Sequence, residues 1–219
     1  MKICLLTKKN KYGVKEVINY LNNISDDIEV YFGEDYISIP KSILKKEYDF
    51  IISYISPWIV PKSMLNKTNY WNINFHPGPP EYPGIGCFNF AIYDSAYEFG
   101  STAHIMDPKV DSGKIIGVKR FKMKKDETVE TLSLKTYKAQ LNLFKKIMKT
   151  IIIKKSLPKS EEKWKRVAFK RIELEKLSEI NLNMTSKEIQ KRIRATYYSG
   201  KPAPFIKILG HKFEFNPNR

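Results

Sequence analysis

Cysteine is almost missing from this chain. Cys4 and Cys87 stand alone, which excludes a disulfide framework and a cysteine-rich metal knuckle. Histidine is nearly as scarce, at His76, His104 and His211. No second His or Cys stands at ligand spacing from an acid–histidine grouping, so no metal site is expected. Long apolar runs are lacking too, since none approaches the roughly 18 residues a membrane span needs. The start, Met1 to Lys9, has no extended apolar region and no small-residue cleavage site, so it does not read as a signal peptide. A cytoplasmic protein with no membrane partner is expected. Acidic residues are in deficit, 23 against 39 Lys and Arg. Yet no RNP, helix-turn-helix or zinc-finger pattern accompanies the scattered lysines, so a nucleic-acid partner is not expected. The surplus fits a lysine-rich composition, or a basic pocket for a phosphorylated small molecule.

Apolar residues make up 42% of the 219 positions and charged ones 28%. That is the composition of a folded protein able to bury its own core. The length suggests one main domain with an appendage. The division is placed at residues 1–158 and 159–219. The second stretch carries 15 Lys/Arg against 7 Asp/Glu, a net of +8.

The walk along the chain alternates strand and helix. Ile3–Leu6 is a continuous apolar run, as in a buried parallel strand. Val14, Val17, Ile18 and Leu21 recur on one helical face. Ile28–Phe32 and Asp49–Tyr54 read as the next strands, and Trp71–Phe75 as another. This rhythm predicts an α/β fold with a Rossmann-like, mainly parallel sheet flanked by helices. A helix is predicted over Cys87–Phe99, strands over 101–106 and 114–121, and a long helix from Thr128 to about Lys154. In the tail, Thr185-Ser186-Lys187-Glu188 reads as a capping box opening a basic helix to about Tyr198. Pro204–Leu209 and Lys212–Phe215, joined by Gly210-His211, read as a hairpin. The appendage is therefore a helix plus β-hairpin unit. That hairpin could pair across a homodimer and cover a sheet edge.

The chemistry concentrates after the Trp71–Phe75 strand. His76 follows Asn74 by two residues, and an extended chain projects both to one face. They sit at the carboxyl edge of a strand, where open α/β sheets bind ligands. From His76 to Gly86 there are four prolines and three glycines, a rigid loop that can be neither helix nor central strand. Asp111 lies in a second loop, Asp107–Gly113, after the 101–106 strand. It either shapes that turn or meets His76 from a neighbouring strand end.

Asn74-Phe75-His76-Pro77-Gly78, a Pro/Gly loop, Gly100-x-Thr102-x-x-x-Met106 and Asp111-Ser112-Gly113 together resemble the formyltransferases that use 10-formyltetrahydrofolate. The likeness covers residues 1–125 in element order and 71–117 in detail. It implies Asn74, His76 and Asp111 as catalytic residues and 10-formyltetrahydrofolate as cofactor. It implies a cofactor pocket at Trp58, Ile59 and Val60 and at Asp107, Lys109 and Val110. Trp58 and Ile59 read equally well as ordinary core. The loop sequence and the short tail resemble the sugar N-formyltransferases, which act on nucleotide-linked amino sugars. The specific expectation is dTDP-4-amino-4,6-dideoxyglucose, with Tyr82 and Phe88 lining the sugar pocket or, equally, packing the loop on the core. Arg194 and Tyr197 are the candidates for pyrophosphate and base. The rival expectations are a methionyl-tRNA formyltransferase and a basic RNA-binding module on the same scaffold.

Overall fold

The computed structural model describes residues 1–35 and 37–217. In chain order the elements are β1 (Ile3–Thr7), α1 (Val14–Asn22), β2 (Ile28–Phe32), α2 (Lys41–Leu44), β3 (Tyr48–Tyr54), α3 (Lys62–Leu65), β4 (Thr68–His76) and α4 (Cys87–Tyr93). Next come β5 (Glu98–Ile105), β6 (Ile115–Lys122), α5 (Val129–Lys154), α6 (Arg171–Ser178), β7 (Glu179–Ile180), α7 (Ser186–Thr196), β8 (Phe205–Ile208) and β9 (His211–Glu214). The main sheet has the order β2-β1-β3-β4-β5-β6. Its first four strands run parallel, β5 pairs antiparallel with β4, and β6 pairs antiparallel with β5, the mainly parallel α/β architecture the rhythm predicts.

The period-2 alternation of the strands divides the two faces. Ile3, Leu5, Phe50, Ile52, Ile73 and Phe75 point toward α1 and α5, where they bury against Leu143, Phe144 and Ile147. Each such side chain contributes about 1.5–3 kcal/mol when fully buried. Phe144 anchors this layer, with its ring meeting Phe75 at 5.1 Å and Tyr54 at 5.9 Å. Cys4, Leu6 and Ile51 point the other way, onto Ile43 and Met64 of the short helices α2 and α3. On this second face, register aligns Leu6 with Ser53, Ser53 with Asn74, and Asn74 with His104. One row across the sheet thus ends in an amide beside an imidazole.

Three expectations are corrected. The helix after the Pro/Gly loop ends at Tyr93 rather than Phe99, because Asp94 caps it and Ser95 turns left-handed at φ 54°. The chain then enters β5 three residues earlier than expected. The capping box of α7 is half formed: Thr185 Oγ1 accepts from the Glu188 N–H at 3.2 Å. The Glu188 carboxylate is drawn away to Tyr93 and Arg192. The tail hairpin turns at Leu209-Gly210, both with positive φ, the geometry of a type I′ turn. Its β8 also pairs with β7, giving a small three-stranded sheet.

Pro158 ends the run after α5, and residues 159–170 cross back as a strap over the Pro/Gly loop. Lys165 N–H donates to Pro80 O at 3.0 Å, Phe169 N–H to Pro83 O at 2.9 Å, and Ile85 N–H to Phe169 O at 3.0 Å. Arg120 grips Glu81 of the loop and Glu162 of the strap. The tail helix α7 docks on α4 through Asn89 Nδ2, which donates to Ala195 O at 2.7 Å. No helix among the described residues is long and apolar enough to cross a membrane.

Candidate active site

Four polar side chains meet at the carboxyl end of β4. Asn74 and His76 come from β4, His104 from the antiparallel neighbour β5, and Asp111 from the loop between β5 and β6. Asp111 is the hub. Its Oδ2 lies 3.1 Å from His76 Nδ1 and accepts the Gly84 N–H at 2.7 Å. Its Oδ1 lies 3.2 Å from His104 Nε2 and accepts from Asn74 Nδ2 at 3.3 Å. His76, His104 and Asp111 are each at least nine-tenths buried. Burial works against a charged Asp111. The His76 ring, His104 and the Gly84 N–H outweigh it and hold the carboxyl well below the usual carboxylate range.

Protons are fewer than the contacts that need them. His104 Nδ1 faces the Ile105 carbonyl at 2.8 Å, so that nitrogen carries hydrogen. With one proton the ring accepts from Asn74 Nδ2 at 3.0 Å, and with two it donates to Asp111. His76 faces acceptors on both sides: Asp111 on Nδ1 and the Tyr82 carbonyl, 2.9 Å away, on Nε2. Only the doubly protonated ring satisfies both, and a neutral ring leaves one of them unmade. Each proton on His76 therefore makes one of these contacts, and its loss breaks one.

The local sequence explains the placement. The Thr102 hydroxyl donates to Gly78 O at 2.8 Å and the Ser101 hydroxyl to His76 O at 2.8 Å, pinning the loop to β5. A Cβ on Gly78 would sit 2.5 Å from His76 Nε2, so only glycine fits there. Gly84, at φ +86°, turns its N–H onto Asp111. Two non-glycine residues at the cavity wall are left-handed, Asp111 at φ 44° and the β-branched Ile55 at φ 56°. Strain of that kind gathers at functional sites.

A cavity of about 370 Å³ opens beside the cluster, with Asn74, His76, His104 and Asp111 in its wall. Trp58, Ile59, Val60, Asp107, Lys109 and Val110 all line it. Ile59 is 66% exposed and Val110 41%, apolar surface that a flat heterocycle would cover. The other four candidates lie elsewhere. Tyr82 lends only its carbonyl, its ring stacking on Phe169 while its hydroxyl donates to Asp94. Phe88 packs against Phe99 and Tyr137. Arg194 donates to the Lys125 carbonyl, and Tyr197 leans on Phe215. Arg192 is likewise committed to Glu188 and to three backbone carbonyls.

Sequence reasoning missed His104, Gly84 and Trp164. The signal for His104 is its register opposite Asn74, which exists only once β4 and β5 pair antiparallel. Trp164 stands in the strap, with its ring roughly perpendicular to those of His104 at 5.1 Å and His76 at 6.0 Å.

A buried Asp–His pair, a second imidazole and an inward-facing amide gather on an open α/β sheet, groups that can move a proton and donate a hydrogen bond. The formyl transferase family matches residues 38–148, half of the chain, and the chain belongs to it. A methionyl-tRNA formyltransferase of Clostridium tetani is 27% identical over 182 residues, covering 77% of this chain and 58% of that protein. The chain thus spans little more than half of that relative. A sugar N-formyltransferase from a Shewanella species superposes with a TM-score of 0.77 at 18% identity, covering 98% of this chain and 96% of the other. An N-formyltransferase from Helicobacter canadensis, solved with folinic acid and dTDP-3-aminofucose, superposes with a TM-score of 0.73 at 21% identity. It covers 96% of this chain and 85% of its own.

Proposed function

We propose that this chain is a sugar N-formyltransferase, moving a formyl group from 10-formyltetrahydrofolate to the amine of a nucleotide-linked amino sugar. The observation that carries the reading is the convergence of Asn74, His76, His104 and Asp111 on one cavity walled by the 57–60 and 107–110 loops. The folate supplies the formyl group, with N10 as the leaving atom. Trp58, Val60 and Val110 offer an apolar slot for its ring system, and the exposed apolar faces of Ile59 and Val110 support that fit.

Overall, the bond from formyl carbon to N10 breaks, a bond to the sugar nitrogen forms, and one proton passes from that nitrogen to N10. Asn74 donates its amide N–H to the oxygen that gains charge. His76, released at Nε2 from the Tyr82 carbonyl, handles the proton. Asp111 fixes the His76 ring through Nδ1 and stabilises its charged form. The attacking amine must be neutral, so the rate rises with pH until groups of the site titrate.

A cationic end for the acceptor lies next to the cavity. Lys8 lines it and also a smaller cavity of about 240 Å³ shared with Lys9, Lys11 and Lys201. Burial, and then the like charges of Lys8 and Lys201, lower the pKa of Lys11 against the opposing charge of Asp35, with which Lys8 and Lys201 pair. Four lysines against Glu34 and Asp35 leave a cationic surplus for a diphosphate. Lys201, rather than Arg194 or Tyr197, is the tail residue so placed. The acceptor is taken as dTDP-4-amino-4,6-dideoxyglucose. A homodimer through the exposed edge of β9, where Phe213 is 55% exposed, completes the reading.

Product mass decides it, measured with 10-formyltetrahydrofolate against 3-amino and 4-amino sugars on dTDP, UDP and GDP, with Met-tRNA alongside. A formylated dTDP-4-amino sugar is expected. Formylation of Met-tRNA with no amino sugar modified overturns the reading. Tenfold or greater preference for a 3-amino sugar would move the amine while leaving the chemistry in place.

A further inference from the structure

The strap that ties the Pro/Gly loop to the Asp111 loop lies outside the stretch matching the family. That match ends at residue 148, whereas Trp164 sits in the strap. Its indole presents to both imidazoles of the cluster, with interplanar angles of 70° to His76 and 85° to His104. Its Nε1–H donates to the Gly113 carbonyl at 2.8 Å, in the loop that carries Asp111. The same strap holds the Pro/Gly loop by three backbone hydrogen bonds, and that loop supplies the Tyr82 carbonyl to His76 and the Gly84 N–H to Asp111. Phe169 secures the strap, stacking on Phe90 at 3.7 Å.

We propose that Trp164 is a positioning residue for formyl transfer, fixing the His76 and His104 rings and the Asp111 loop in one geometry. The proposal rests on the formyl-transfer reading. Its physical basis is a partition. Behind the cluster lies a second cavity of about 780 Å³, lined by Trp164 and sharing Ile85, Val110 and Asp111 with the first. The indole lines that cavity and packs against both imidazole rings, which do not line it. Without the indole, a second route for water opens onto the imidazoles, beside the one from the first cavity, and the rings gain room to rotate. Lost orientation costs rate more than it costs binding. Trp164 touches no reacting atom; it acts through the two histidines and Gly113.

The test compares Trp164→Ala, Trp164→Leu and Trp164→Phe in steady-state formyl transfer and in the ring resonances of His76 and His104. Loss of the indole is expected to lower kcat by about 10–100-fold, with KM for both substrates held within about threefold. Trp164→Phe, which keeps an aromatic ring against the imidazoles, should restore most of that rate. In Trp164→Ala the His76 and His104 ring signals should broaden or split while amides of β1 to β3 stay unmoved. Should the alanine variant fail to fold, Trp164→Leu fills the volume without an aromatic ring and gives the same readouts. Unchanged kcat with unchanged histidine signals in a folded variant overturns the proposal, and so does a loss confined to KM. The resonance measurement needs no substrate. A wild-type protein that formylates nothing would therefore sink the functional reading and still leave the positioning of the two rings decided.

Discussion

Two acid-centred clusters sit on the same face of one sheet, and they are built to opposite ends. At the amino end, Glu29 of β2 accepts from Tyr31 and Tyr48 hydroxyls and from Lys46 at 2.8 Å, beside Cys4. Every partner is a donor and the carboxylate is fully met. Burial opposes its charge, but Lys46 and the two hydroxyls outweigh that and bring its pKa down to about 2. At the carboxyl end, Asp111 gathers two imidazoles and an amide whose contacts outnumber their protons. The first arrangement has one low-energy protonation state and holds three strands together. The second leaves a contact of His76 unmade whenever that ring is neutral, a vacancy that proton transfer can use. A satisfied polar cluster stabilises, and an ambiguous one reacts.

The sharpest way to break the comparison is at His76. His76→Ala should fold normally and lose about two to four powers of ten in kcat. A folded variant within threefold of wild type would remove His76 from the chemistry. Gly84→Ala should injure both fold and activity. At φ +86° an added Cβ comes within 2.5 Å of Phe169 O, pushing the strap off and the N–H away from Asp111. A stability loss of about 1–3 kcal/mol is expected by denaturant titration, with kcat falling on the order of tenfold or more.

Glu29→Gln sharpens the other half. It should lower stability by about 1–2 kcal/mol through weakened charged hydrogen bonds, with turnover per folded molecule unchanged. The pH dependence follows. Glu29 is depressed in the folded state from about 4.3 in the unfolded chain. Its contribution is full above that value and is lost as pH falls toward about 2. Asp111, also depressed, acts in the same direction. Acid titration of wild type and Glu29→Gln should show a shallower loss below about pH 4.3 in the variant; parallel curves would contradict it. The smallest effect concerns the thiols. Burial pushes Cys4 and Cys87 up to about 12, so alkylation should track unfolding rather than native exposure. Rapid labelling of the native protein would show otherwise.

How far the sequence reveals this depends on the range of each interaction. Asn74 and His76 are legible because a two-residue spacing on a strand fixes their common face. The parallel half of the sheet is legible because buried strands read as apolar runs. Asp111 is legible through its motif beside the Asn74/His76 pair. His104 is not, since its role needs the β4–β5 register, and Trp164 is not, since it arrives from more than fifty residues beyond Asp111. Arg194 is not legible either, because a basic helix looks free until the carbonyls it meets are known. The helix expected to reach Phe99 stopped early at a left-handed Ser95, which periodicity does not register.

The most direct test follows transfer of an isotope-labelled formyl group from 10-formyltetrahydrofolate to a dTDP-4-amino sugar, per folded molecule, in Asp111→Asn and Glu29→Gln side by side. The comparison predicts that Asp111→Asn loses transfer by about two or more powers of ten while Glu29→Gln transfers as wild type does. Equal activity in the two variants, or loss in Glu29→Gln alone, would contradict it.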